Sequence, residues 1–128
     1  MGTREYTLPF LSGHVMERLK TFEEFWPFYV SQHSLPTTRA LHFAGTTMVV
    51  GALAIAVARL SPMWVLAALV LGYGPAWIGH FFFEKNRPAT FTYPFWSLRG
   101  DFRMYRLMLT GKMGPEVERA MRLYPRPV

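Results

Sequence analysis

Three histidines stand at positions from which their side chains can meet. His42 lies near the start of one apolar run and His80 near the end of the next, and the midpoint between them is Ser61. Because positions equidistant from the turn of an antiparallel helical hairpin lie side by side, we expect His42 and His80 to be level on neighbouring helices. Pro36 predicts a helix break between His33 and His42, at which the chain can fold His33 back over the same end of the hairpin.

A carboxylate is expected to join these three imidazoles. Glu84 follows His80 by four residues, so the two side chains point from one face of an α-helix. Imidazole and carboxylate ligands suit Fe(II), Zn(II), Mn(II) or Ni(II), and the absence of cysteine excludes thiolate ligands and a cysteine nucleophile. The residues predict a metal site of His33, His42, His80 and Glu84. Four histidines are too few for the eight-histidine box of a di-iron membrane hydroxylase.

The same histidines allow other interpretations. They can be polar contacts between helices in a non-catalytic hairpin subunit that packs on a larger membrane complex or on another copy of the chain. Two histidines level on adjacent membrane helices can also be the axial ligands of a b-type haem, although enclosing a porphyrin would require a dimer. The fourth histidine, His14, lies in a polar segment before the first helix, and we expect it to be structural or exposed.

Two long uncharged runs determine the predicted architecture. Residues 40–58 and 62–83 contain no formally charged side chain, and each run is long enough to cross a hydrocarbon core of about 30 Å as a helix. The predicted fold is therefore all-α, with a membrane helical hairpin over about 40–58 and 62–84. The alternative is a soluble all-α protein with two buried core helices.

Amphipathic stripes flank the predicted hairpin. Apolar residues recur there at helical spacing, with charged residues on the other faces. The stripe before the hairpin contains Val15, Leu19, Phe22, Trp26 and Tyr29, and the stripe after it contains Leu98, Phe102, Tyr105 and Leu109. Arg99, Arg103 and Arg106 accompany the second stripe, which fits the headgroup region of anionic lipid. Ordinary core packing within a compact bundle explains either stripe equally well.

Composition and charge favour one membrane-embedded domain over residues 1–128. The chain is 51% hydrophobic and only 17% charged, which excludes intrinsic disorder. Lys and Arg number 14 against 8 Asp and Glu, and the hairpin turn contains only Arg59 of these basic residues. The positive-inside rule then predicts a multi-pass protein with both termini cytoplasmic, and a lipid surface fits the charge better than nucleic acid does. The start of the sequence, with Arg4 and Glu5, lacks the apolar region of a signal peptide.

Three blocks of the sequence resemble one family of small membrane proteins. They are residues 28–46, which contain Phe-Tyr-Val-Ser-Gln-His and Arg-Ala-Leu-His; residues 72–91, which begin Gly-Tyr-Gly-Pro-Ala-Trp-Ile-Gly-His; and residues 93–104, which begin Tyr-Pro-Phe-Trp-Ser-Leu-Arg-Gly-Asp. The family is that of the 2-hydroxy fatty acid dioxygenases, with a yeast-type enzyme of the endoplasmic reticulum and bacterial relatives once filed as a domain of unknown function. The resemblance extends over about residues 14–110. The eukaryotic branch has Asn-x-x-Ile-His where this chain has Arg-Ala-Leu-His, and bacterial relatives often have an acid at the position of Gln32.

The resemblance implies an Fe(II)-dependent α-oxidation in which O2 is used to shorten a 2-hydroxy fatty acid by one carbon. The essential histidines of the family correspond to His33, His42 and His80, accompanied by Glu84. Membership also implies a place in the bacterial inner membrane or, in a eukaryote, in the endoplasmic reticulum. A 2-hydroxy carboxylate can chelate the metal through its hydroxyl and one carboxylate oxygen and leave a position for O2.

Such a substrate gives expected roles to further residues. Arg39 or Arg87 can bind its carboxylate as a bidentate fork, or can anchor the chain to lipid phosphate. Asn86 and Asp101 can orient the imidazoles, and Asp101 can instead be a carboxylate at the start of a helix. The acyl chain is expected beside Met48, Val49, Leu66 and Leu69, and the aromatic loop 91–96 is expected to cover the polar head or to lie at the headgroup level.

Overall fold

The structure, a computed structural model, describes residues 18–125, and all regular secondary structure in that part of the chain is helical. The helices are α1 (Phe22–Ser31), α2 (Pro36–Ala58), α3 (Met63–Ile78), α4 (Pro94–Leu109) and α5 (Met113–Leu123). A π-helical segment, Gly79–Glu84, continues α3 directly, and a short 3-10 turn, Ala89–Phe91, precedes α4. The expectations for His14 and Val15 lie outside the described residues.

The predicted all-α hairpin is confirmed, with α2 and α3 packed against each other along their length. Its turn contains Leu60 in the left-handed backbone region, with φ of 49°. The first helix of the hairpin, α2, begins earlier than predicted, at Pro36 instead of residue 40. Proline fits the first position of a helix because its missing N–H would have no partner there, so Pro36 starts α2 as well as ending the segment before it.

The hairpin is apolar and largely uncovered. Pro36–Ala58 and Met63–Glu84 are long and apolar enough to cross a membrane by length and composition. Only 22% and 17% of their most apolar windows are buried, respectively. Large side chains such as Val57 and Val70 point outwards. A core helix of a soluble protein would be mostly covered, so these outward-facing surfaces favour a lipid environment.

A separate aromatic core forms beside one end of the hairpin, where α1 packs against α4 and α5. Phe25, Trp26 and Tyr29 from α1 are fully buried in it with Met104 and Ala120. The apolar stripe on α1 is therefore a packing face within the protein, which is the core-packing alternative for this stripe. An apolar stripe predicts one buried face in either case, and here that face meets protein.

The apolar stripe on α4, in contrast, is mostly exposed. Leu98, Phe102 and Leu109 are exposed, whereas Tyr105 stacks on Phe43 of α2 at a ring-centroid distance of 4.7 Å. An exposed apolar stripe on a helix with basic residues on other faces is what an interfacial helix requires.

The loop predicted over residues 91–96 is shorter than expected. Pro94 occupies the first turn of α4, so residues 94–96 are helical, and Phe91 closes the 3-10 turn. The rigid φ of proline suits the start of a helix, so Pro94 begins α4 and does not exclude helix here.

Candidate metal centre

Three different elements bring three imidazoles together. His33 follows the end of α1, His42 lies on the second turn of α2, and His80 lies in the π-helical segment. The ring centroid of His33 is 4.3 Å from that of His42 and 4.6 Å from that of His80, and the His42 and His80 centroids are 5.1 Å apart. The predicted pairing of His42 with His80 across the hairpin and the return of His33 over the same end are both present.

Backbone carbonyls determine the tautomers of two of these rings. The Nδ1 atom of His33 lies 2.7 Å from the Tyr29 carbonyl oxygen, and Nδ1 of His42 lies 3.3 Å from the Thr38 carbonyl oxygen. Because a carbonyl oxygen only accepts, each Nδ1 must carry the proton and donate it. The Nε2 atom of each ring is left with its lone pair free.

The Asn86 side chain determines the tautomer of His80. Its amide nitrogen donates to the Gln32 carbonyl oxygen at 2.9 Å, so the amide oxygen must face the other way. That oxygen lies 2.7 Å from Nδ1 of His80 and accepts its proton. Asn86 therefore orients His80 as predicted, and it leaves Nε2 of His80 free like the other two.

The π-helical segment places Asn86 for this contact. The N–H of Asn86 donates to the His80 carbonyl oxygen at 3.0 Å, and the preceding Lys85 adopts the left-handed conformation, with φ of 60°. This tight reversal returns the chain towards His80 immediately after the helix ends. Short π-helical segments occur frequently at functional sites because they reposition side chains in this way.

The three free nitrogens form a site that fits a metal ion. Nε2 of His33 and Nε2 of His42 are only 3.1 Å apart, although neither carries a proton to share. One ring nitrogen from each of His33, His42 and His80 lies within 4.8 Å of the others, and no other such group occurs among residues 18–125. Lone pairs directed at one another are favourable only around a cation, and the Nδ1 contacts are the outer partners typical of ligating histidines.

The three histidines are buried, and burial favours the neutral form of imidazole that binds a metal ion. The relative exposures of His33, His42 and His80 are 1%, 5% and 2%. Burial lowers the pKa of His33 well below its usual range, and the neighbouring imidazoles lower it further. His33 also closes the space between the other two rings, which leaves no room there for the porphyrin of the haem alternative.

Glu84 is not in the group of side chains whose ligand atoms lie within 4.8 Å of one another. Its carboxylate accepts hydrogen bonds from the hydroxyl of Ser34, at 2.9 Å, and from the backbone N–H of Leu35, the residue that caps α2. A carboxylate at the N-terminus of a helix binds an otherwise unpaired donor and interacts favourably with the helix dipole. Glu84 thus ties the end of one hairpin helix to the start of the other.

The two arginines predicted to bind substrate make different contacts. Arg39 donates from Nη1 to the carbonyl oxygens of His33 and Ser34, both at 2.8 Å, so it fixes the segment that carries His33. Arg87 is exposed, and its guanidinium carbon lies 5.0 Å from the centre of the Phe91 ring. The structure gives Arg39 a structural contact and leaves the outer guanidinium of Arg87 accessible.

Asp101 lies on the Nε2 side of His42, with an oxygen 3.8 Å from that nitrogen. The Tyr29 hydroxyl donates to the same carboxylate. Burial raises the pKa of Asp101 to about 7, while the hydrogen bond from Tyr29 opposes the rise. Asp101 therefore borders the space that the three nitrogens face. It lies within α4, which begins at Pro94, so the alternative role as a carboxylate at the start of a helix is wrong.

Tyr29 is a residue of this site that sequence reasoning assigned only to packing. Its carbonyl accepts from His33 and its hydroxyl donates to Asp101, so one residue supports two sides of the centre. The available signal was its spacing four residues before His33, which places the Tyr29 carbonyl within reach of that ring.

An apolar groove of about 280 Å³ opens from the cluster and runs between α2 and α3. His42, His80 and Asp101 line one end of it. The remaining length is lined mainly by aliphatic and aromatic side chains of the hairpin. This shape fits a ligand with a polar head and a long apolar tail.

Comparison with known proteins gives one match. Residues 19–113, most of the chain, match the Mpo1-like family model, described as 2-hydroxy-palmitic acid dioxygenase Mpo1-like. A search of curated proteins and a search of solved structures found nothing that matches.

Proposed function

Since the chain belongs to the Mpo1-like family of 2-hydroxy-palmitic acid dioxygenases, we propose that it is an Fe(II)-dependent enzyme that shortens 2-hydroxy fatty acids by one carbon. The observation that carries this proposal is the convergence of three unprotonated Nε2 atoms at one buried point. Three neutral imidazoles leave open coordination positions, as iron oxygenases require. When bound, Fe(II) would supply the open positions that hold the hydroxy acid and O2, and would mediate the transfer of electrons between them.

The overall reaction balances without a further reductant. One 2-hydroxy acid and one O2 give the acid shortened by one carbon, one CO2 and one water. The substrate itself supplies the four electrons that reduce O2, because carbon 1 is oxidised from a carboxyl group to CO2 and carbon 2 from an alcohol to the new carboxyl group. The site therefore has to hold only the metal, O2 and the acid.

The residues around the histidines would orient the substrate. Asp101 borders the free side of His42 and can accept a hydrogen bond from the 2-hydroxyl group. We keep Arg87 as the residue that pairs with the carboxylate, because its guanidinium is exposed and the next residue, Pro88, lines the groove. Arg39 would act indirectly, by holding the backbone of His33.

The hairpin would span the lipid bilayer with both chain ends in the cytoplasm. Its outward-facing apolar surfaces and the scarcity of basic residues in its turn support this orientation. The iron would then lie near the cytoplasmic interface, where a hydroxy acid can keep its tail in the bilayer while its head reaches the metal.

An oxygen-consumption assay tests the proposal. The full chain, purified in detergent and loaded anaerobically with Fe(II), is expected to convert 2-hydroxypalmitate to pentadecanoate with one O2 consumed per acid shortened. Unchanged substrate under air, with iron bound in stoichiometric amount, would contradict the proposed reaction. Purified protein that binds no metal would favour the non-catalytic subunit instead.

Replacing Asn86 should weaken the metal site without removing a ligand. Asn86→Ala deprives Nδ1 of His80 of its acceptor, and loss of such an outer partner typically lowers metal affinity about 10–100-fold. Asn86→Asp keeps an acceptor oxygen and should bind more tightly than Asn86→Ala. Competition between the protein and a chelator for Co(II), followed by absorbance, measures the affinities.

The adjacent Lys85 offers a matched control for that series. Lys85→Gly keeps the left-handed conformation at no steric cost and should leave the affinity unchanged. An Asn86→Ala variant that binds Co(II) as tightly as the Lys85→Gly variant would contradict the role assigned to Asn86.

Replacing Glu84 should affect stability more than metal binding. Glu84→Ala leaves the Leu35 N–H and the Ser34 hydroxyl without this carboxylate, which costs about 1–3 kcal/mol of unfolding free energy. Metal affinity should change by only a few-fold. Denaturant titration and the chelator competition separate the two effects, and a loss of metal from Glu84→Gln at unchanged stability would restore Glu84 as a ligand.

A further inference from the structure

We propose that the groove between α2 and α3 binds the acyl chain of the substrate and that the residues at its far end limit the chain length accepted. This inference rests on the proposed function, because it takes the hydroxy acid head to lie at the histidine cluster. It assigns specificity to residues of the hairpin that do not touch the metal site.

The lining of the groove changes character along its length. His42, His80 and Asp101 stand at one end, together with Thr90 from the loop before α4. The other end is lined by Leu53 from α2, and by Val65 and Ala68 from α3. Of the four residues expected beside the acyl chain, Val49 and Leu69 line this groove, whereas Met48 and Leu66 do not.

The length of the groove matches an acyl chain that fills one bilayer leaflet. Leu53 is eleven residues from His42 on α2, which is about 16 Å at 1.5 Å per residue. Half of a hydrocarbon core of about 30 Å is about 15 Å. A long fatty acid whose head lies at the histidines would therefore reach the level of Leu53. Val65 lies beyond that level, fifteen residues or about 22 Å from His80 along its helix.

Small residues on α3 keep the groove open. Ala68, Gly72 and Ala76 recur every four residues on one face of α3, and all three line the cavity. Beside them the helices pack closely, since a Cβ atom on Gly72 would lie 2.7 Å from Cγ2 of Val49. The groove is thus bounded by a tight helix contact and deepened by the missing side-chain volume.

The far half of the groove is open to its surroundings. Leu53, Val65 and Leu69 are each exposed, although they also line the cavity. A tail can therefore enter sideways from the bilayer, whereas the head end is covered by the loop before α4. That covering is held by the Phe91 ring, 5.4 Å from the ring of Trp77.

Photo-crosslinking tests the occupant without relying on catalysis. The full chain is placed in phosphatidylcholine nanodiscs with 2-hydroxypalmitate that carries a diazirine near its methyl end. Labels are expected on the Leu53 and Val65 peptides, and competition with unlabelled 2-hydroxypalmitate should remove them. Labels spread evenly over outward-facing residues such as Val70, and unaffected by competitor, would overturn the proposal.

Filling the groove tests its role in chain length. Ala68 is twelve residues from His80, about 18 Å along α3, so Ala68→Phe should block the tail of 2-hydroxypalmitate but not the much shorter 2-hydroxyoctanoate. We expect kcat/KM for the long acid to fall about tenfold or more, with a change of less than about threefold for the short one. Val70→Phe, on the exposed face of the same helix, is the matched control.

A second variant keeps the test valid if Ala68→Phe does not fold. Leu53→Ala lengthens the open end, and it should raise the preference for 2-hydroxyarachidate over 2-hydroxypalmitate. An unchanged chain-length profile in a folded, active variant overturns the groove and leaves the proposed function standing. Specific labelling of the groove in a protein that shortens no hydroxy acid supports the groove and contradicts the proposed function.

Discussion

Replacing His42 with alanine is expected to abolish tight metal binding, with a fall in affinity of more than about 100-fold. Loss of an outer partner of a ligating histidine already costs about 10–100-fold, and His42→Ala removes one of only three converging nitrogens. His33 and His80 would remain with no third imidazole to complete the site. Under the proposed function the same variant should produce no shortened acid.

Iron analysis and Co(II) titration of the purified variant measure this effect. Helical content by circular dichroism shows whether the variant is folded, because His42 is buried and its loss leaves space at the end of α2. Thr37→Ala, an exposed position on the first turn of the same helix, is the matched control and should bind metal normally. Stoichiometric iron of unchanged affinity in His42→Ala would contradict the three-histidine site.

The meeting of His42 and His80 was predictable because it depends on simple geometry. Two straight helices joined by a tight turn place equidistant residues side by side, and Pro75 inside α3 does not disturb this pairing. His33 was predictable for a partly different reason from the one assumed. Pro36 does separate the two segments, but it does so as the first residue of α2.

The hydrogen-bond partners of Glu84 could not be predicted from its spacing to His80. A spacing of four residues places Glu84 on the same side of the helix as His80, but it does not determine which partner the carboxylate binds. In the structure that carboxylate binds Ser34 and Leu35, which are 50 and 49 residues away in sequence. These partners come together only in the folded chain, and no local pattern predicted the π-helical segment that carries Glu84.

The contacts of α1 with α4 and α5 could not be predicted from the sequence for a related reason. An apolar stripe such as that of α1 requires burial, but lipid and protein satisfy it equally well. Protein covers the stripe of α1 because α4 and α5 pack against it, and these helices are distant from α1 in sequence. The hydrogen bond between Tyr29 and Asp101 depends on the same packing, so the position of Asp101 beside His42 could be found only from the structure.

Replacing Trp26 with alanine is expected to be the most destabilising change in the aromatic core, at about 3–5 kcal/mol. Trp26 is fully buried, stacks on Tyr29 with ring centroids 5.6 Å apart, and donates from its indole nitrogen to Glu116 at 3.1 Å. The variant therefore loses a large apolar volume and leaves a carboxylate without one of its donors. Urea titration of the detergent-purified protein, followed by near-ultraviolet circular dichroism, measures the loss.

The effect of Trp26→Ala should extend to the metal centre, because Tyr29 links the two. Tyr29 packs on Trp26, accepts from His33 and donates to Asp101, so a looser Tyr29 would weaken metal binding as well as the core. Trp26→Phe keeps most of the volume and should show a smaller loss on both measurements. Phe95→Ala removes an exposed aromatic ring and should change stability by less than about 0.5 kcal/mol. If Trp26→Ala lowered stability while metal affinity stayed unchanged, the aromatic core and the three-histidine site would be independent units, and the support assigned to Tyr29 would be wrong.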